Sequence, residues 1–185
     1  MDWLFPLDAI WLVLPAYLAN ASAAVLGGGT PIDFGHEWKG KRVLGDGKTW
    51  KGLSRGIVIG VIAGMLMNSF AQDTYRIGDG GMLIIFSLSC GALFGDMIES
   101  FIKRRLGKKS GTHWPIADQV DFLVGAFTFT LIMSFLLDHF GVTDGNWFFQ
   151  QFTGWHILFL LIFTPLLHYV TNVIGYLVGL KKVPW

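Results

Sequence analysis

The sequence holds a single cysteine, Cys90, inside an apolar run, so neither an intramolecular disulfide nor a cysteine-built zinc site is open to it. Charge is scarce as well. Asp, Glu, Lys and Arg make up 15% of the 185 residues, against roughly 25% in an ordinary soluble domain, and mean hydropathy is +0.52. An ordinary cytosolic globule is excluded by that balance. The net charge is only +1, too little for a chain that coats nucleic acid, and no nucleic acid is expected among its partners. There is no internal repeat and no low-complexity tract, which argues against an inverted-repeat transporter. No basic stretch precedes the first apolar segment, where Asp2 and Asp8 stand instead, and this argues against a cleaved signal peptide.

What is abundant is apolar sequence, 52% of the chain, gathered into five segments at approximately 3–26, 53–71, 81–104, 118–137 and 155–180. A membrane-spanning helix needs about 20 mostly apolar residues, and all five segments meet that length. The expected fold is therefore an all-α integral membrane protein of five spans, a single membrane-embedded domain over residues 1–185. Thirteen of the 14 Lys and Arg residues fall on one side of it: in the first connection and the start of segment two, in the connection 105–117 with the end of segment three, and at Lys181 and Lys182. Only Arg76 falls opposite, in a connection that also holds Asp73 and Asp79. The positive-inside rule then puts the amino terminus outside, the carboxyl terminus in the cytoplasm, and the loops 27–52 and 105–117 on the cytoplasmic face.

Loop 27–52 reads GGGTPIDFGHEWKGKRVLGDGKTWKG. Lys48, Thr49 and Lys51 supply phosphate donors beside Asp46, and glycine lets a backbone come close to a ligand. It is not a Walker A loop, because Arg42 stands where GxxxxGK[ST] requires the first glycine. A connector kept basic by topology alone explains this loop equally well.

Ionisable residues inside the spans carry a sharper signal. Asp96, Glu99, Ser100 and Lys103 fall on one face of a helix at about 100° per residue. With the span starting near Met82, Asp96 stands about 21 Å into a hydrocarbon core of about 30 Å. A charge at that depth reads as functional by default; the plain alternative is an ion pair of Asp96 or Glu99 with Arg55 or Lys103. Asp118 and Asp121, spaced i and i+3 after Pro115, point one way at the start of segment four. Two acid pairs on neighbouring spans suit a divalent cation, and Mg²⁺ takes such oxygens while keeping phosphate and water as further ligands. Between them runs KRRLGKKSGTHWPIA, whose five basic residues suggest a bound polyphosphate or an anionic headgroup.

Ser100, Lys103, Arg104, Lys108, Pro115, Asp118 and Asp121, with Gly95 and Asp96 before them, resemble the signature of the phosphatidate cytidylyltransferases, the CDP-diacylglycerol synthases. Two departures stand out: Lys109 replaces the Asp of bacterial and eukaryotic members, and the Gly-His-Gly-Gly stretch after the proline is missing. These, the small size and the PIDFG and GKRVLGDGKTWKG segments look like the archaeal branch, the CDP-archaeol synthases. The motifs cover roughly residues 31–126.

The resemblance implies transfer of a cytidylyl group from CTP to an unsaturated archaetidic acid, giving CDP-archaeol and pyrophosphate, at a site facing the cytoplasm in the cell membrane. It implies Mg²⁺ on Asp96, Asp118 and Asp121, with Lys103 beside them as a catalytic cation. Glu99 would ligate the metal or orient a ligand, and Ser100, Arg104 and Lys108 would hold phosphates of CTP or lipid. Asp46, Lys48, Thr49 and Lys51 would close over the nucleotide. The alternatives are a synthase acting on phosphatidic acid and a cation transporter using the same acids. A CDP-alcohol phosphotransferase is disfavoured, since no Asp-Gly pair continues into that family's DGxxAR pattern. His36 and His113 read as surface or packing residues, and His156, His168 and Asn172 as interfacial or interhelical hydrogen bonders. Trp3, Trp147, Trp155 and Trp185 fit an aromatic belt at the membrane boundaries. Gly56, Gly60 and Gly64 mark a close helix contact, either internal or across a homodimer.

Overall fold

A computed structural model describes residues 4–71, 74–75, 80–108, 112 and 114–178, with the backbone alone at 171, 172 and 175. The expectations placed on Trp3, Asp73, Arg76, Asp79, Lys109, His113, Lys181, Lys182, Trp185 and the Asn172 side chain lie outside the described residues. The element order is α1 (Phe5–Val25), β1 (Glu37–Trp38), β2 (Lys41–Arg42), α2 (Trp50–Phe70), α3 (Gly81–Arg105), α4 (Ala117–His139), α5 (Trp147–Gln151) and α6 (Gly154–Leu177). Among the described residues α1 to α4 are long and apolar enough to cross a membrane, whereas α6 offers a shorter apolar stretch, Gly154–Val170. The structure thus gives four candidate spans and a shorter apolar helix where the sequence suggested five spans.

Local chemistry sets the helix ends. Pro6 opens α1, where its missing N–H costs nothing. Thr49 caps α2, its hydroxyl accepting from Gly52 N at 3.1 Å. That cap starts the helix three residues before the expected segment, so Lys51 and Gly52 lie in its first turn instead of the loop. Gly80, left-handed at φ 81°, launches α3, and Lys103, Arg104 and Arg105 close it against the negative end of its dipole. Thr153 and His156 form a capping box on α6, so His156 bonds within its own helix end and not between helices.

α3 is the hub, packed on α4, α1 and α2. Its face of Ile84, Ile85, Leu88 and Ala92 meets Leu12, Val13 and Ala16 of α1 and Phe122, Leu123 and Ala126 of α4 in one core. Small residues bring the backbones together. Gly56 and Gly60 lie so close to α1 that a Cβ would come within 2.7 Å of the carbonyls of Ala19 and Pro15, respectively, while Gly64 faces Ile85 of α3. The Gly56, Gly60 and Gly64 stripe is therefore an internal contact. Large apolar side chains such as Val58, Ile62, Ile132, Phe135 and Ile162 are exposed on the outer faces, the distribution of a protein whose surroundings are apolar.

Candidate active site

The chain between α1 and α2 is a strap folded around a short hairpin. Its organiser is Asp33, which accepts from Leu44 N and Gly45 N, both at 2.9 Å, from Gly35 N at 3.1 Å and from Arg42 at 2.7 Å. Burial pushes the Asp33 carboxyl up, but Arg42 and the three backbone donors outweigh it and hold the group well below the usual carboxylate range. The same contacts raise the Arg42 guanidinium above its ordinary value. Arg42 also binds Asp46 at 2.7 Å. Ile32 N donates to Lys48 O at 2.8 Å, fixing the backbone that carries Lys48. Arg105 ties this strap to α3: its guanidinium donates to the carbonyls of Trp38, Lys41 and Arg42 and lies 5.1 Å from the Trp38 ring.

On the other side, α3 and α4 touch through glycine. A Cβ on Gly125 would stand 2.6 Å from Gly95 Cα, and one on Gly95 would meet Asp121 O. This approach brings Asp96 and Glu99 of one helix beside Asp118 and Asp121 of the other. Ile116, at φ 69°, turns the chain into α4, and Asp118 reaches back to accept from Trp114 N at 3.0 Å.

The result is a chamber of about 260 Å³ lined by Lys48, Asp96, Glu99, Ser100, Lys103, Arg104, Asp118 and Asp121, together with Leu44 and Gly47. Lys48 Nζ donates to Asp96 Oδ2 at 2.5 Å. Lys103 Nζ pairs with Asp118 Oδ1 at 2.5 Å and with Glu99 Oε1 at 3.0 Å. Asp121 bonds only its neighbour's N–H, on Phe122, at 2.6 Å and has no ion-pair partner among the described residues. Arg55, the alternative partner considered for the α3 acids, instead donates to Leu26 O at 2.9 Å.

Three further cavities adjoin this one. A cavity of about 350 Å³ shares Lys48, Asp96 and Asp118 and runs inward between apolar walls to Asn20 of α1 and His168 of α6. An apolar groove of about 320 Å³ on the α3 and α4 face shares Glu99 and Asp121. A third, of about 270 Å³, shares Arg104 and contains Asp46 and Lys108. Of the residues expected at the site, eight meet in the acidic chamber. Thr49 lines the inner cavity but spends its hydroxyl on the cap, accepting also from Gly28 N. Asp46 is engaged by Arg42, and Lys51 lies along Gly29, outside all four cavities. Asp33, Arg105 and Asn20 are the residues that sequence reasoning missed. Asn20 was visible as an amide within an apolar helix.

Among the described residues no three carboxylates, histidines or cysteines form a ready metal cage. Mg²⁺ does not require one, since it keeps water and phosphate ligands and binds through one or two carboxylates. Asp121, which has no ion-pair partner among the described residues, fits such an ion together with the neighbouring Asp96 and Asp118 on the same chamber.

The family model described as CarS-like, CDP-archaeol synthase, matches residues 1–185. A CDP-archaeol synthase of Methanosarcina barkeri is 45% identical over 94% of this chain and the whole of the relative. One of Pyrococcus horikoshii is 43% identical over 97% of this chain and 96% of its own length. A solved structure, described as an intramembrane enzyme for archaeal membrane lipids biosynthesis, superposes with a TM-score of 0.75 at 34% identity, covering 91% of this chain and 94% of that one. With the family model matched over residues 1–185 and relatives near 45% identity over almost the whole chain, this chain belongs to the CDP-archaeol synthase family.

Proposed function

We propose that this protein transfers the cytidylyl group of CTP to an unsaturated archaetidic acid, releasing pyrophosphate, at the acidic chamber between α3 and α4. The observation that carries this reading is the meeting of four carboxylates with Lys48, Lys103 and Arg104 on one chamber that borders an apolar groove at Glu99 and Asp121. A triphosphate, its metal and a lipid phosphate need that mixture of charges, and the lipid tails need the groove. On this reading the protein is one membrane-embedded domain of five spans, with α6 completing the set. Its amino terminus is outside and the chamber faces the cytoplasm, as the distribution of basic residues favours.

The reaction asks for alignment and charge neutralisation more than covalent work. An oxygen of the lipid phosphate attacks the α-phosphorus of CTP while the bond to the β-phosphate breaks. A phosphate dianion is already nucleophilic near neutral pH, so no general base is assigned. Lys48 reaches the chamber from the strap and Lys103 from α3, and each exchanges a carboxylate partner for a phosphate oxygen when substrate arrives. Ser100 and Arg104 complete the phosphate contacts. The cavity toward Asn20 takes the cytidine: its apolar walls accept the flat base, and Asn20, whose side-chain amide has no hydrogen bond among the described residues, offers a donor and an acceptor to its polar edge. Asp96, Asp118 and Asp121 would hold Mg²⁺, with Glu99 orienting a ligand, and the ion would neutralise charge building on the phosphates. Every group in this scheme comes from one chain.

Purified protein in detergent, given the lipid phosphate and CTP labelled at the α-phosphorus, should move the label into a lipid-soluble product. Label at the γ-phosphorus should appear in pyrophosphate, and chelation of Mg²⁺ should stop both. A cation transporter would move neither label.

A further inference from the structure

Beyond the end of α3 lies the cavity of opposite character. Lys41, Arg42, Arg104 and Lys108 face it with a single carboxylate, Asp46, which Arg42 already neutralises. It touches the acidic chamber at Arg104. That residue is 8% exposed; its Nη1 donates to Lys108 O, while its Nε is buried with no acceptor among the described residues. A buried guanidinium N–H without an acceptor is costly, and an anion would remove the cost.

We propose that this basic chamber receives the pyrophosphate leaving group. The inference rests on cytidylyl transfer as the reaction. In that step a bond forms from the lipid phosphate oxygen to the α-phosphorus as the bond from the α-phosphorus to the bridging oxygen breaks. The bonding pair departs with the pyrophosphate, and no further reactant is needed. Attacking and leaving oxygens stand on opposite sides of the phosphorus. The groove for the lipid borders the acidic chamber at Glu99 and Asp121 and follows α3 from Gly95 to Ile102. The basic chamber begins at Arg104 and continues past the helix end to Lys108. Groove and acidic chamber run side by side along α3 and share Glu99, while the basic chamber joins the acidic one at its Arg104 end, so a nucleophile arriving from the groove expels its leaving group across the acidic chamber toward Arg104. Once free, pyrophosphate is repelled by the carboxylates and attracted by Lys41, Arg104 and Lys108, Arg42 being held by Asp33 and Asp46.

Lys41 tests this because it lines only the basic chamber. Calorimetric titration of inorganic pyrophosphate into the detergent-purified full chain would compare wild type, Lys41→Ala, Lys41→Arg and Lys39→Ala, the last removing a nearby charge outside the chamber. Lys41→Ala should raise the Kd about tenfold, the scale of one charged hydrogen bond. Lys41→Arg should restore it and Lys39→Ala should leave it unchanged. Product inhibition by pyrophosphate should weaken in parallel, with the KM for lipid phosphate constant. No binding to wild type, an equal Kd in Lys41→Ala, or a rise in the lipid-phosphate KM instead would overturn the assignment. If wild type fails to transfer cytidylyl, the reaction reading falls by a separate measurement, because the calorimetry reads pyrophosphate without turnover.

Discussion

Lys48 carries its charge into the acidic chamber from a strap that the sequence alone allowed to be a mere connector. Its 2.5 Å contact with Asp96 puts the ammonium at the acids of α3, and kinetics separates the two readings. Lys48→Ala should raise the KM for CTP more than that for lipid phosphate, whereas Lys39→Ala, altering an exposed residue outside the chamber, should behave as wild type; steady-state kinetics with each substrate varied checks both. Asn20→Ala should narrow the preference for CTP over UTP by about tenfold, the worth of one or two hydrogen bonds to a base edge. The kcat/KM ratio for the two nucleotides measures it. The acids of α3 and α4 were legible because hydropathy makes a carboxylate in a span an outlier. Asp33 was not, since its partners Leu44 and Gly45 are backbone groups that no residue type announces. Because its carboxyl titrates below that of the unfolded chain, near 3.9, the strap keeps its full stabilisation above about pH 5 and loses it as pH falls further. Asp33→Asn should bring the acid state to neutral pH, with the Leu44 and Gly45 amides exchanging at least about tenfold faster and the α3–α4 core unchanged.

At the level of elements, the α3–α4 contact sets the spacing of the acids. Gly125→Ala would place a methyl 2.6 Å from Gly95 Cα, where backbone has no room to give. Overpacking of this kind costs about 1–3 kcal/mol, and here it also parts Asp96 from Asp121. Thermal unfolding should show a lower Tm and turnover should fall further than stability alone explains, while Gly154→Ala, with nothing within 4 Å, should be neutral in both assays. The long helices were readable to within three residues because twenty apolar residues admit few other folds. The hairpin and α5 were not: two-residue strands have no period, and five residues of helix have no face to detect. What holds the hairpin is Arg105, 63 to 67 residues away from the carbonyls it binds.

For the whole molecule, the charge pattern is the guide to topology. All the strap and the ends of α3 and α4 gather at one end of the bundle, and the acids lie there with them. With Cys90→Ala as background, Lys39→Cys should react with an impermeant thiol reagent only in inverted or opened vesicles, and Asp144→Cys, beyond α4, should react in intact cells. The reverse pattern would turn the topology over.

The acidic chamber itself is tested most directly by the rate of cytidylyl transfer from CTP to lipid phosphate in Asp96→Asn, Asp118→Asn and Asp121→Asn, each keeping the side-chain shape and removing one charge. Each rate should fall by at least about two orders of magnitude, the effect of losing a strong electrostatic contact to a transition state, with elution in detergent unchanged. Wild-type rates in all three would contradict the account.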